Sequence, residues 1–513
     1  MKLKILFPVF FALSLFALVF CACSTERNYT HKNEDGVMEV FVDPDVSSPF
    51  NGGKFQGWGT SFCWWANRIG YSDVLAQKAA ELFYSKDGLG LNIIRYNIGG
   101  GDDPTHNHIT RTDSEIPGFL IYEGDSLVYD WTRDADQRNV MKKAIASCGQ
   151  EVIVEAFSNS PPYFMTNSGC SSGAIIKSKN NLKNDMYDAF ADYLSEVVKH
   201  YKDEEGIVFQ SLSPMNEPSS DYWGANSWKQ EGCHFDFGVS QSKMLKAQAE
   251  SLERYGLSDV ILCGADETSI DSARLGYNML TDDAKAALER IDTHTYQGSK
   301  RKDLMELAQK EGKNLWMSEV DGGDTVGRNS GEMGAALWIA DRILLDMNQM
   351  MPSAWITWQV IDNHVCAAGR NGKQDSGMPD LSGGYWGFAV CDHDKQEIIL
   401  TKKYYAFGQF TKFIRPGSTI IASSKKTLAA YDAAKKQLVV VAVNDEAEEA
   451  PYLFDFSAFK KTGSSAEVVR TSGSMRSGEN WASLPAASVT KGKMNVVLAP
   501  YSVTTYIIDG VER

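Results

Sequence analysis

Basic charge, paired cysteine motifs and long apolar runs are all scarce in this chain. Its 51 Lys and Arg stand against 66 Asp and Glu, a net charge of −15, which argues against nucleic acid or an anionic membrane surface as partner. No CxxC occurs and no Cys/His group stands at zinc spacing, so no metal site of that kind, and no cofactor, is expected. The apolar run at residues 5–20 is shorter than the about 20 residues that a membrane span requires. Internal repeats and low-complexity segments are missing. So is a Gly-rich phosphate loop after the first strand candidate, which ends instead in Ser-Phe-Cys-Trp-Trp65. A doubly wound nucleotide-binding sheet is disfavoured on that ground.

What is present is a chain of 513 residues, 43% apolar and 11% aromatic, long enough for a large core and more than one domain. Its start reads as a targeting segment. Lys2 and Lys4 precede the apolar run, and Cys21-Ala-Cys23 follows it, the form of a secretory signal. Ala22 directly before Cys23 marks residues 1–23 as a lipoprotein signal, with Cys23 as the lipidated residue and residues 24–35 as a polar tether. The expectation is an exported protein, at the surface or in the periplasm of a Gram-negative bacterium, held to the outer membrane by a lipid. Seven further cysteines leave at least one free thiol if the rest pair. Cys170 and Cys233 lie in Gly/Ser-rich loops and are candidates for a disulfide, while Cys148 and Cys263 sit in apolar contexts as buried thiols.

Between residues 53 and 415 short apolar runs alternate with amphipathic helical stretches. Eight strand candidates occur, at residues 55–62, 91–98, 151–158, 208–212, 259–264, 291–296, 314–320 and 354–361. Eight βα units predict a closed (β/α)8 barrel. After Phe413 the texture changes at Arg415-Pro-Gly417, and residues 416–513 show only short alternating strands, an all-β sandwich. Residues 36–52, strand-like but placed before the barrel, are assigned to that sandwich, which is expected chiefly to brace the barrel.

Two of the barrel strands end in carboxylates. Residues 207–212 run into Asn216-Glu217-Pro218, and residues 314–320 contain Ser318-Glu319. In a parallel barrel the C-terminal strand ends form the mouth where chemistry sits. Two glutamates facing each other there suit glycosidic bond hydrolysis, one attacking the anomeric carbon and the other protonating the leaving oxygen. Around them Arg95 can hold a carboxylate ionised, Tyr296 can orient it, and Asn216 can bond a sugar hydroxyl. Trp358 and the Trp64-Trp65 pair stand at strand ends as sugar platforms; Trp58, Trp316 and Trp355 read as core. His294 reads as a hydrogen-bonded supporting residue, and Asp266 and Asp324 as loop carboxylates. Residues 163–181 and 219–240 read as cleft walls. A glycan-binding lipoprotein without turnover is the competing reading, and loss of either glutamate would have marked it; both are present.

These pieces resemble glycoside hydrolase family 30. The matching segments are Gln56-Gly-Trp-Gly-Thr60, Ser160-Pro-Pro-Tyr163, Ser213-Pro-Met-Asn-Glu-Pro218, His294-Thr-Tyr296, Trp316-Met-Ser-Glu319 and the run from Lys403 to Gly417. The resemblance implies Glu217 as acid/base, Glu319 as nucleophile and retention of configuration. It further implies that Arg95, Asp102, Asn216, Tyr296 and Trp358 surround the sugar on the non-reducing side of the cut, with Tyr163 where many relatives carry Trp. Within the family, Trp58-Gly-Thr-Ser-Phe-Cys-Trp-Trp-Ala66, the 159–173 loop and Gln230-Glu-Gly-Cys-His-Phe235 look like the endo-β-1,6-galactanase branch, whose substrate is the β-1,6-galactan of arabinogalactan side chains. Exo-acting galactobiohydrolases and β-1,6-glucanases or xylanases share the frame and remain alternatives. The chain is expected to act as a monomer on polysaccharide.

Overall fold

The computed structural model describes residues 30–105, 108–111, 113–322, 329–370, 373–376 and 386–513. The signal segment, Cys23 and Asp324 lie outside them. Eight parallel strands close a barrel. In chain order they are Gly57–Ser61, Ile93–Asn97, Ile153–Phe157, Ser211–Ser213, Ile261–Ser269, Arg290–Gln297, Asn314–Val320 and Ala354–Thr357, and the eighth pairs with the first. Each expected strand is there, most of them shorter than read.

Local chemistry explains the winding. Helix Asp73–Tyr84 starts at Ser72, whose side chain accepts from the Leu75 N–H, and helix Ile270–Met279 starts at Ser269 in the same way. Gly57 adopts a φ of 138°, and a Cβ there would overlap the Asn92 amide, which accepts from the Trp58 N–H and donates to the Gln56 carbonyl. Only glycine admits that tie between the first two strands.

Trp58, Trp316 and Trp355 are fully buried, as core. Phe407 and Phe410 of helix Lys402–Thr411 pack on Trp58 at 5.8 and 6.3 Å between ring centroids. The other side of that helix meets the β module: Trp481 Nε1 donates to the Tyr405 carbonyl, and Lys402 Nζ donates to the carbonyls of Ser472 and Glu479.

The β module is two layers sharing one long strand, Glu479–Thr490, which pairs with Ser465–Ser472 in one layer and with Lys493–Leu498 in the other. Val40, Phe454 and Met494 meet Val440, Tyr506 and Ile508 in a single buried cluster between the layers. Strand Met38–Phe41 joins this module in parallel with Ala450–Asp455. Residues 30–32, read as part of a tether, form a strand paired with it; Glu39 and Met38 offer a ladder edge that a nominally polar segment satisfies.

One feature departs from the expected pattern. Strands Ile361–Arg370, Lys373–Ser376, Ala389–Asp392 and Glu397–Leu400 form a four-stranded sheet between the eighth barrel strand and the last helix. The run 354–361 read as one strand because it is rich in apolar and β-branched residues; in space the barrel strand ends at Thr357, and Ile361 pairs with Ala389 instead.

Candidate active site

The barrel axis is filled by charge in layers. Deepest lie Arg290, Glu155 and Asp292, all buried, with Arg290 Nε 2.6 Å from Asp292 and its guanidinium 3.4 Å over the Trp316 ring. Above them Arg95, fully buried, spreads its fork. Nε donates to Glu155 at 3.2 Å, Nη1 to Glu319 Oε2 at 2.7 Å, and Nη2 to Asn216 Oδ1 at 3.2 Å and to the Asp266 carboxylate. A guanidinium offers five donors in a fixed plane, which a lysine cannot copy. Burial alone would weaken its charge, but Asp266, Glu319 and Glu155 raise its pKa further.

Glu217 and Glu319 stand at the mouth, 6% and 4% exposed. One oxygen of each and a ring nitrogen of His294 all fall within 4.8 Å of one another. His294 Nδ1 lies 3.1 Å from Glu217 Oε1 and 3.5 Å from Glu319 Oε1, and Nε2 lies 3.3 Å from Asp266. Tyr296 donates its hydroxyl to Glu319 Oε1 at 3.1 Å, and Tyr222 donates to Glu217 Oε2. Glu217 and Asp266 both hold positive φ, 47° and 55°, and the Glu217 N–H donates to the Asp266 carbonyl at 2.8 Å. Such strain in a non-glycine residue persists only where the surroundings enforce it, and it concentrates at functional sites.

Burial would lower His294, yet Glu319 and Asp266 push it up to about 10. Burial would raise Glu217, but hydrogen bonds from His294 and Tyr222 hold it below the usual value. Burial, with repulsion from Glu217 and Asp266, pushes Glu319 up to about 7 against the pull of His294 and Arg95. Asp266, against burial, is held well below the carboxylate range by Arg95 and His294. Like charges this close share their protons, so the glutamate pair retains one proton up to about pH 7. His294 Nδ1 approaches both carboxylates. The 2.7 Å contact with Arg95 makes Glu319 the better seat for negative charge once the proton sits on Glu217.

A cleft of about 680 Å³ opens over the pair. Trp64, Asn216, Tyr296 and Trp358 line it with both glutamates. Trp64 and Trp358 meet edge to face at 5.2 Å. The 219–240 loop contributes Tyr222, Trp223 and Lys229, whereas the 163–181 loop contributes Ser172 alone.

Three expected site residues stand elsewhere. Trp65 is 1% exposed; its Nε1 donates to the Ser61 carbonyl, its ring packs on Phe62 and Phe83, and it borders only a side pocket of about 140 Å³. Opening helix Trp65–Ile69 turns it inward, opposite to its neighbour Trp64. Asp102 does not line the cleft; its carboxylate accepts from the N–H groups of Asp103 and His108 and organises its own loop. Tyr163 sits on a single 3-10 turn, edge-on to Phe164 at 5.3 Å, away from the lining. Cys170 and Cys233 are buried thiols, not a disulfide; each sulfur bonds a nearby carbonyl within its own loop.

Asp266, read as a loop carboxylate, is instead a buried member of the fifth strand, bonded to Arg95, Ser213 and Ser318. Its position beside Glu267 at a strand end was the only local sign. Trp386 and Asp362 of the inserted sheet and Arg111, 3.6 Å from Asp362, complete the cleft wall, and no local pattern marked them.

Residues 51–273 match the family model for O-glycosyl hydrolase family 30. The chain is 31% identical over 487 residues to an endo-beta-1,6-galactanase of Hypocrea rufa, spanning 90% of this chain and 93% of that one. It is 24% identical over 540 residues to an exo-beta-1,6-galactobiohydrolase of Bifidobacterium longum, spanning 82% of this chain and 35% of the relative. Among solved structures, a conserved exported protein from Bacteroides fragilis superposes with a TM-score of 0.70 at 20% identity, over 91% of this chain and 99% of that one. Retaining glycosidases place their two carboxyls about 5–5.5 Å apart and inverting ones about 6.5–9.5 Å, and the pair here approaches within 4.8 Å. The chain belongs to glycoside hydrolase family 30 and is a retaining O-glycoside hydrolase.

Proposed function

We propose that this protein is an endo-β-1,6-galactanase in which Glu319 is the nucleophile and Glu217 the acid/base. The observation that carries the assignment of roles is the asymmetry of partners. Glu319 alone of the two bonds the permanent cation Arg95, together with Tyr296. Glu217 is held instead by His294, Tyr222 and Thr268.

In the first half-reaction a Glu319 oxygen bonds the anomeric carbon while Glu217 protonates the departing glycosidic oxygen. The C–O bond breaks and a glycosyl ester forms. In the second, Glu217 takes a proton from water, the water oxygen bonds the same carbon, and Glu319 leaves as carboxylate. Arg95 and Tyr296 hold the charge that Glu319 loses and regains. Asn216 Oδ1 accepts from Arg95, so its Nδ2 is the atom offered to a sugar hydroxyl in the cleft. Trp64, Trp358 and the half-exposed Trp386 supply flat apolar faces.

The substrate rests on the likeness to the fungal galactanase, which extends over 93% of that enzyme. Export with a lipid on Cys23 rests on the leader and on Ala22-Cys23; no helix among the described residues is long and apolar enough to cross a membrane. Product analysis on β-1,6-galactan, β-1,6-glucan and glucuronoxylan tests the reading, with Glu217→Gln and Glu319→Gln beside the parent. A ladder of β-1,6-galacto-oligosaccharides, abolished by either substitution, is expected. Galactobiose alone makes the enzyme exo-acting, and cleavage of only glucan or xylan refutes the substrate.

A further inference from the structure

The inserted sheet carries a cluster of ligating side chains that hydrolysis does not use. Its strands Ile361–Arg370 and Ala389–Asp392 are parallel neighbours, with His364 opposite Cys391 and the His393 N–H donating to the Val365 carbonyl at 2.8 Å. Side chains two apart share a face. His364 and Cys366 therefore fall on the same face as Cys391 and His393. One nitrogen of each imidazole and the Cys391 sulfur lie within 4.8 Å of one another, and His364 Nδ1 is 2.9 Å from His393 Nε2. Cys366 and Cys391 are both buried thiols.

We propose that His364, Cys366, Cys391 and His393 form a structural site for a zinc-type divalent ion that ties two strands of the inserted sheet together where that sheet meets the barrel. Two imidazoles and two thiolates are the donor set of closed, tetrahedral structural zinc sites. With bonds of about 2.0–2.1 Å to nitrogen and 2.3 Å to sulfur, a tetrahedron sets donors roughly 3.3–3.8 Å apart, within the observed spread. The outer partner is also in place: the Tyr71 hydroxyl lies 3.1 Å from His393 Nδ1, and the two rings stack at 5.8 Å. A ligating histidine characteristically gives its second ring nitrogen to such a partner, which aims the first at the metal. Tyr71 belongs to the turn after the first barrel helix, and Lys78 of the next helix donates to the Gln396 carbonyl, so the site stands where sheet meets barrel.

Charge balance agrees. Binding displaces one proton from each thiol to solvent, and two thiolates neutralise the ion. The site is thereby neutral beside Arg111, paired with Asp362, and Arg68, paired with Asp113 at 3.2 Å. The set escapes a reading for zinc spacing because its halves, His364-Val-Cys366 and Cys391-Asp-His393, are joined by strand register and not by sequence.

The test uses the full chain purified without a polyhistidine tag. Elemental analysis is expected to find about one zinc per chain, and a chelator is expected to lower the melting temperature. Loading the stripped protein with Co(II) alone should produce thiolate-to-cobalt absorption that is lost in Cys391→Ser and kept in Cys148→Ser. His364→Gln, at a partly exposed position that spares the core, should weaken cobalt binding by about 100-fold or more. A parent that binds no stoichiometric ion after reconstitution overturns the proposal. So does a Cys366–Cys391 disulfide found by peptide mapping of unreduced protein, or cobalt binding unchanged in Cys391→Ser and His364→Gln.

Discussion

Arg95 meets four acceptors, Glu155, Glu319, Asn216 and Asp266, with one planar group. Arg95→Lys keeps the charge and loses the fork, leaving buried acceptors unpaired at a cost of about 3–5 kcal/mol. Urea unfolding should show that loss, and hydrolysis should fall with it; unchanged stability would refute the layered account of the barrel axis. In the proposed mechanism Tyr222 acts on the acid. Its hydroxyl stabilises the carboxylate form of Glu217, so Tyr222→Phe raises the acid's pKa and keeps it protonated to higher pH. The alkaline limb of kcat/KM should move upward. A limb that stays or moves down would separate Tyr222 from the acid.

At the level of elements, the cleft is shaped by loops pinned through single buried groups. Glu231 in the 219–240 loop accepts from the Gly100 N–H at 2.8 Å and from Asn97 Nδ2 at 3.3 Å, beyond the second barrel strand. Burial pushes its carboxyl well above the usual range. Glu231→Gln retains an acceptor for Gly100 and should be tolerated, whereas Glu231→Ala strands both donors at about 1–3 kcal/mol. Thermal melts of the two variants distinguish this from a charge-dependent role, in which both would fail alike. The existence of the barrel strands was legible because it depends on neighbours in sequence, and Asn216-Glu217-Pro218 ends a strand by its own chemistry. The inserted sheet was not legible, since the end of the barrel strand at Thr357 is followed by pairing between Ile361 and Ala389.

For the whole molecule, helix Lys402–Thr411 is shared property, with Phe407 and Phe410 in the barrel core and Tyr405 under Trp481 of the β module. A chain ending at residue 415 should therefore fail to give soluble, active barrel, and recovery of a folded fragment would show that the module is dispensable. Protonation acts at the same scale. Burial pushes Asp134, Glu267 and Asp321 each up to about 7. His294, against burial, is pushed up to about 10 by Glu319 and Asp266. The folded chain thus holds more protons than the unfolded one from about pH 4 to pH 10, and stability falls as pH rises through that window. The melting temperature should be higher at about pH 5 than at about pH 9; the reverse order would contradict these buried, protonated carboxyls.

The amino-acid sequence alone determined the eight alternating units, the switch to strands after Phe413 and the two glutamates at strand ends. Hydrophobic period and strand-end chemistry are properties of a few consecutive residues, and they survive without knowledge of what packs against them. Tertiary structure alone decided that Trp64 faces the cleft while Trp65 faces the core, and that Asp266 sits under the Glu217–Glu319 pair. It alone set the approach of Glu217 to Glu319 and the meeting of His364 with Cys391. Those outcomes depend on register between strands distant in sequence, where a shift of one residue sends a side chain to the opposite face.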